Sequence, residues 1–169
     1  DYDFYSGSIA ELTDMTDKGL LDFSLVVAPV DMSKFDYIRL PYTETFGLLL
    51  KDDHPLAKKE YIEPDDISGH PLWLAHQQSE GNVIASWMRT DGSALNRIAS
   101  FNLIRTPAML IEEGIGMAFT FDHLVNTEGT HLCFRPLKPA IEAELYIIWK
   151  KYNTFTKPCE LFLEELQKT

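Results

Sequence analysis

Histidines and adjacent acidic residues are the side chains of this sequence best suited by type to acid–base or metal chemistry. No two of the five histidines lie three or four residues apart, the spacing that brings two ligands onto one helix face. They are His54, His70, His76, His123 and His131. The adjacent pairs Asp65–Asp66 and Glu112–Glu113 would diverge on a helix, which favours solvated faces over catalytic dyads. The pattern predicts no metal site and no acid–base pair.

Motifs for covalent catalysis and phosphate binding are absent from the sequence. There is no GxSxG, GxxxxGK[ST], GxGxxG or HExxH motif. Gly114 and Gly116 follow a predicted helix, so we interpret them as a helix C-cap and a turn. Cys133 and Cys159 lie outside any CxxC or Cys/His spacing and are expected to be reduced thiols. We therefore expect neither an enzyme nor a bound cofactor or metal.

Composition and charge narrow the class of protein further. The chain has 169 residues, 45% of them hydrophobic, which suits one domain or two small lobes with packed cores. Its net charge of -11 would repel a phosphate backbone, so this segment is not expected to bind DNA by itself. No apolar run approaches the roughly 18 residues of a membrane span, and no signal peptide opens the chain. The expected location is the cytoplasm, with no membrane contact.

Helices and strands alternate along the chain. Ser8 and Glu11 form a predicted capping box at the start of a helix that ends at Gly19, and residues 22–27 form an apolar strand after it. An apolar strand that follows a helix favours a parallel sheet covered on both faces. Further strands are predicted at 46–50, 71–75, 95–101, 117–119, 132–134 and 143–150, and helices at 79–92, from 106 to Gly114, and from about 156 onward, with one helical turn at 64–67.

Uncharged polar residues follow several predicted strands, where ligands of open α/β sheets bind and helix N-termini present free amides. They are Ser6 and Ser8, the loop 77–82, and Asn102 with Thr106. A hydroxyl at a helix start has two interpretations, since Ser8 and Thr106 are also suitable caps of their own helices. The residues leave both interpretations open.

The order and residue patterns of four stretches resemble those of the effector-binding domain of LysR-type bacterial transcriptional regulators. The stretches are DMTDKGLLDFSLVVA (14–28), YIRLPYTETFGLLLKDDHPL (37–56), Asp66–Ile67 with PLWL (71–74), and PAMLIEEGIGMAF (107–119). The terminal strand and helix also match, so the resemblance covers essentially the whole chain. Thr120 and Phe121 stand where the family usually has a proline.

The resemblance implies an α/β fold like that of type 2 periplasmic binding proteins, with two Rossmann-like lobes joined by two crossover strands. Lobe I would comprise residues 1–41 with 147–169, and lobe II residues 42–146. The positions that match the family's ligand cleft are Ser6, Ser8, Pro29, Gln77, Gln78, Ser79, Asn82, Asn102, Thr120 and Phe121. Their mostly neutral character, with helix amides beside them, favours a small carboxylate or another organic anion as effector.

The resemblance also implies parts that this sequence lacks. A strand and helix of about 25 to 30 residues would precede residue 1 in lobe I, and a winged helix-turn-helix further upstream would make the only DNA contacts. The implied function is effector sensing within a homodimer or tetramer. A solute-binding protein of a transport system and an interaction module without a ligand are the alternatives, and a transferase or hydrolase lacks an activated nucleophile.

Overall fold

The computed structural model describes residues 2–76, 83–89 and 95–168 of the chain. The chain divides into two compact units. Unit 1 comprises Asp1–Glu44 with Ala143–Thr169, and unit 2 comprises Thr45–Glu142. The described helices are α1 (Ile9–Asp17), α2 (Val83–Trp87), α3 (Arg105–Glu112) and α4 (Lys157–Leu166). The strands are β1 (Ser24–Val27), β2 (Phe35–Lys51), β3 (Leu72–Ala75), β4 (Arg97–Phe101), β5 (Met117–Phe121), β6 (Leu132–Pro136) and β7 (Glu142–Lys150).

Unit 1 is a three-layered α/β structure. Its sheet has the order β1-β7-β2, and β1 pairs antiparallel with β7, so that Ser24 lies opposite Ile148. On one face, Val26, Phe35 and Ile148 pack with Leu12 of α1. On the other face, a second cluster contacts α4, and its members are Leu40, Leu145, Ile147, Phe23 and Leu166. Each helix therefore covers one face of the sheet with its apolar stripe.

Strand β1 departs from the prediction in two ways. Its described partner β7 runs antiparallel, so the parallel pairing predicted for this strand is wrong. Leu25 is 56% exposed, although its apolar neighbours on both sides predicted a strand buried on both faces. The physical reason is position, because β1 is the last strand of the described sheet and α4 covers the strands beside it.

Unit 2 contains a sheet of mixed direction in the order β6-β2-β5-β3-β4. Strand β2 pairs antiparallel with β5 and β6, whereas β3 pairs parallel with β4 and β5. Leu48 and Leu50 of β2 pack into the core that includes Ile84 of α2, while Leu49 packs on the opposite face with Ile111 of α3. This alternation explains the continuous apolar run, because both faces of the strand are covered.

Local capping residues were predicted with mixed success. The Ser8–Glu11 capping box is present, and Gly114 and Gly116 have φ of +85° and +76°, as a C-cap and turn require. Thr106 does not cap α3, which begins at Arg105 with Ile104 before it and has no side-chain cap. Pro107 is tolerated as the third helical residue because its missing N–H would have no intrahelical partner there.

Candidate functional site

The ten residues predicted to bind a ligand fall into three groups. Ser6, Ser8 and Pro29 belong to unit 1, and Asn102, Thr120 and Phe121 belong to unit 2. The other four lie outside the described residues, and they are Gln77, Gln78, Ser79 and Asn82.

The unit 1 group lies at the carboxyl end of β1. The Thr16 hydroxyl in the last turn of α1 is 2.6 Å from the Ser24 hydroxyl at the start of β1. The helix therefore runs antiparallel to the strand, and its first turn lies where β1 ends. Ser8 precedes that first turn, and Pro29 comes two residues after β1. We call this region the unit 1 edge.

Ser8 is engaged in its own helix. The Glu11 carboxylate accepts hydrogen bonds from the Ser8 backbone N–H at 2.7 Å and from the Ser8 hydroxyl at 2.8 Å. The hydroxyl in turn accepts from the Glu11 N–H at 3.3 Å. These bonds, led by the one from the backbone, lower the pKa of Glu11 below its usual range. A carboxylate of the protein itself thus occupies the place where an anionic ligand would meet α1.

A polar cluster that the sequence analysis did not select lies beside Pro29. Arg39 of β2 approaches Glu144 of β7 with its Nη2 atom 3.1 Å from Oε1. The other oxygen of Glu144 accepts a hydrogen bond from the Tyr146 hydroxyl. The Tyr146 ring contacts that of Tyr37 edge to face, with centroids 5.4 Å apart. The bond to Glu144 raises the pKa of Tyr146, which keeps the phenol protonated.

The spacing of these four residues in the sequence gave a partial indication of this cluster. Tyr37 and Arg39 are two residues apart in one strand, and so are Glu144 and Tyr146 in the other. Side chains two apart in a strand share a face. The pairing of β2 with β7 was the missing information, because it depends on contacts between residues about a hundred positions apart.

The unit 2 group lies at the carboxyl edge of parallel strands. Ala75 at the end of β3 is opposite Phe101 at the end of β4, and Trp73 is opposite Ala118 of β5. Asn102 and the last two residues of β5, Thr120 and Phe121, therefore lie at one edge of the sheet. Strand β3 also ends at this edge, at Ala75. We call this region the unit 2 edge, the position at which open α/β sheets bind ligands.

The side chains at the unit 2 edge differ in accessibility. Asn102 is exposed, and its Oδ1 atom accepts the Leu103 N–H at 2.9 Å. Thr120 is 5% exposed, and the Phe121 ring packs edge to face on Phe46 at 4.9 Å. Asn102 is thus accessible to solvent, whereas the Thr120 side chain is buried and the Phe121 ring packs on Phe46.

Helix α3 begins just after Asn102 and has no side-chain cap. The amides of Arg105 and Thr106 are too early in the helix to find intrahelical partners. The partial positive charge of such an end favours an anion. Unit 2 therefore presents an uncapped helix start, in contrast to the capped start of α1.

Candidate metal ligands do not cluster within the described part of the chain. No group of three or more histidine, cysteine, aspartate or glutamate side chains there could hold a metal ion. Burial raises the pKa of the Cys133 thiol, which disfavours the nucleophilic thiolate. None of the described helices is long and apolar enough to cross a membrane.

Comparison with known proteins gives one family. The family model of the LysR substrate binding domain matches residues 1–169. The chain is 22% identical over 162 residues to YvbU, an uncharacterized HTH-type transcriptional regulator of Bacillus subtilis strain 168. That match includes 95% of this chain and 54% of YvbU, so the chain spans about half the length of this relative.

Solved structures give the same fold. The CcmR regulatory domain of Synechocystis PCC6803, in complex with 2-PG, matches with a TM-score of 0.80 at 15% identity, over 95% of this chain and 79% of that one. HinK, a LysR family transcriptional regulator of Pseudomonas aeruginosa, matches with a TM-score of 0.76 at 19% identity, over 98% and 59% of the two chains. These likenesses confirm the predicted α/β fold of the type 2 periplasmic-binding-protein kind.

Proposed function

Because this chain belongs to the family of LysR substrate binding domains, we propose that it senses a small-molecule effector for a transcriptional regulator. The match of the family model over the whole chain is the main support. Further support comes from the unit 1 edge and the unit 2 edge, where polar residues lie at the starts of helices. In this proposal the ligand is bound and released unchanged.

The proposed ligand site has contributions from both units. Unit 1, which we equate with lobe I, supplies Ser6, Ser8 and Pro29 at its edge. Unit 2, equated with lobe II, supplies Asn102 and the wall of Thr120 and Phe121, and Gln77, Gln78, Ser79 and Asn82 complete it. A ligand shifts a conformational equilibrium only through different affinities for the two states, and contacts to both lobes provide that difference.

An organic anion is the proposed class of effector. The uncapped start of α3 supplies two backbone amides and the positive end of a helix. The similarly folded CcmR regulatory domain was solved in complex with 2-PG, which supports ligand binding by a domain of this shape. In this chain, the start of α3 would contact one charged end of the ligand.

The whole regulator is proposed to act as a cytoplasmic homodimer or tetramer. DNA contacts would come from a winged helix-turn-helix outside this chain, because the chain itself has a net charge of -11. YvbU, an HTH-type regulator about twice as long as the matched region, provides the precedent for such an arrangement. Effector binding would change the spacing of the DNA-binding heads.

A thermal-shift screen of amino acids, sugars, nucleosides and organic acids tests the proposal. A ligand at a hundredfold excess over its Kd adds about 2.7 kcal/mol of stability, or about 5 to 10 °C for a chain of this size. Asn102→Ala should reduce the shift, whereas the matched exposed position Ser68→Ala should leave it unchanged. A screen in which no compound stabilises the protein would favour an interaction module without a ligand.

A further inference from the structure

A cationic side chain would strengthen the contact of unit 1 with an organic anion, because the capping box already engages Ser8 at the start of α1. The Ser8 N–H and hydroxyl already donate to the Glu11 carboxylate, so neither is a free donor for a second carboxylate. A cationic side chain at the unit 1 edge would add the strongest attraction for a carboxylate.

Lysines of unit 1 lie away from this edge. Lys18 and Lys34 bind Asp14 and Asp17 at the far end of α1, each at 2.6 Å. Lys150 and Lys151 bond to the backbone carbonyls of Asp17 and Ser33 in the same region. Lys157 and Lys168 pair with glutamates along α4, which covers the opposite face of the sheet from α1.

Arg39 is the one arginine in the sequence of unit 1, which contains no histidine. Its partner Glu144 lies beside the end of β1, since the Ala28 N–H donates to the Glu144 carbonyl at 2.9 Å. Tyr146, on the same face two residues further, packs against the cluster that includes Leu12 of α1. Arg39 is thus on the face covered by α1 and at the end where Pro29 follows β1.

Arg39 contacts Glu144 through one guanidinium nitrogen, Nη2. Glu144 uses one carboxylate oxygen for Arg39 and the other for the Tyr146 hydroxyl, so the carboxylate is held from both sides. A guanidinium has five N–H donors on three nitrogen atoms, and the contact to Glu144 involves the Nη2 atom. The Arg39 side chain remains 59% exposed, which leaves room for a second planar acceptor.

From this geometry we propose that Arg39, oriented by Glu144 and Tyr146, binds the carboxylate of the effector on unit 1. The proposal rests on the proposed sensing function and adds to it a cationic contact and a preference for carboxylates over neutral isosteres. A guanidinium binds a carboxylate through two parallel hydrogen bonds, which gives both affinity and orientation. Glu144 and Tyr146 act as positioning residues and need not touch the ligand.

The test compares acids with their amides. Acetate, succinate and phenylacetate are titrated against acetamide, succinamide and phenylacetamide, together with any hit from the broad screen, and affinity is obtained from thermal shift and calorimetry. Arg39→Gln should weaken carboxylate binding by about tenfold to a hundredfold, the loss of a charge-assisted pair. Binding of the amides should change by less than about threefold. Lys34→Gln, a matched cation at the far end of α1, should change neither.

Two further variants separate binding from structural effects. Arg39→Lys keeps the charge without the planar fork and should recover part of the preference for acids. Tyr146→Phe should lower the ratio of acid to amide affinity, whereas a purely structural role would weaken both equally. Melting points without ligand show whether each variant is folded.

The outcomes distinguish the two proposals. If no compound of either set stabilises the wild-type protein, the sensing function fails, and the role of Arg39 fails with it. If neutral compounds alone bind, or if Arg39→Gln binds carboxylates as tightly as the wild type, the role of Arg39 is wrong while the sensing function stands.

Discussion

Single residues in this chain show how one side chain serves either structure or ligand binding. The Ser8 hydroxyl was suited by sequence to both, and the structure bonds it to Glu11 in both directions. The capping box was predictable because it depends on residues three apart. The role proposed for Arg39 was not predictable, because it depends on a contact with Glu144, more than a hundred positions away.

The capping box predicts a loss of stability in Ser8→Ala. Removal of the hydroxyl leaves the Glu11 N–H without its side-chain partner, and such N-cap replacements cost about 1 kcal/mol. Denaturant unfolding followed by circular dichroism measures the change. The exposed Ser6→Ala, which precedes the cap, is the control and should change the free energy of unfolding by less than about 0.5 kcal/mol. Equal losses in the two variants would contradict the role of the cap.

His54 predicts a dependence of stability on pH. Its Nδ1 atom accepts the Leu56 N–H at 3.2 Å, which requires that nitrogen to be unprotonated. Burial, and then the nearby charge of His70, lower the pKa of His54. The unfolded chain therefore takes up the proton first, so stability is present above the unfolded value of about 6.5. It is lost as the pH falls below that value toward the folded pKa.

The variant His54→Asn keeps an acceptor for the turn but does not titrate. Melting points measured from about pH 7.5 to pH 5, across the unfolded histidine value, should fall less steeply in this variant than in the wild type. His123→Asn, at an exposed histidine with positive φ that asparagine tolerates, is the control. Identical slopes in the wild type and His54→Asn would refute the assignment.

At the scale of helices and strands, local patterns predicted most elements and failed where distant contacts decide. The apolar run of β2 and the glycines after α3 were predicted because both are local in origin. The start of α3 was predicted at Thr106, because a hydroxyl followed by proline is a common start signal. The helix in fact begins at Arg105, and the residue before it provides no side-chain cap. The antiparallel pairing of β1 could not be predicted, since it depends on the return of the chain as β7.

Two glycines with positive φ, Gly116 before β5 and Gly19 after α1, should differ in the cost of substitution by alanine. Gly116 has φ +76°, and a Cβ there would lie 2.9 Å from the Pro71 carbonyl oxygen and 3.0 Å from Trp73 Nε1. Gly19 has φ +71° with nothing within 4 Å of a Cβ. Gly19→Ala should cost about 1 kcal/mol for the left-handed conformation alone. Gly116→Ala should lower the free energy of unfolding distinctly more, because the backbone at Pro71 must also move. Equal denaturant midpoints for the two variants would contradict this close approach.

At the scale of the whole molecule, the family and the fold were predictable although no single motif is invariant. The order of four stretches across the chain was enough, because each corresponds to a strand or helix in a fixed sequence of elements. The ligand site was less predictable. The residues predicted for it in unit 2 follow from the rule that parallel strands end at one edge, while the cation proposed on unit 1 follows from strand pairing. All ten predicted ligand contacts stay predictions, and four of them, Gln77, Gln78, Ser79 and Asn82, lie outside the described residues.

The net charge of -11 predicts how the whole chain responds to salt. Ion pairs such as Lys18–Asp14 and Lys168–Glu165 are exposed and contribute little, so repulsion among the excess carboxylates is the larger electrostatic effect. Raising the ionic strength from about 0.01 M to about 0.15 M shortens the screening length from about 30 Å to about 8 Å. The melting point should rise in sodium chloride and equally in choline chloride, since screening does not depend on the cation. A fall would mean that the surface pairs outweigh the repulsion, and a rise with sodium alone would indicate specific ion binding instead.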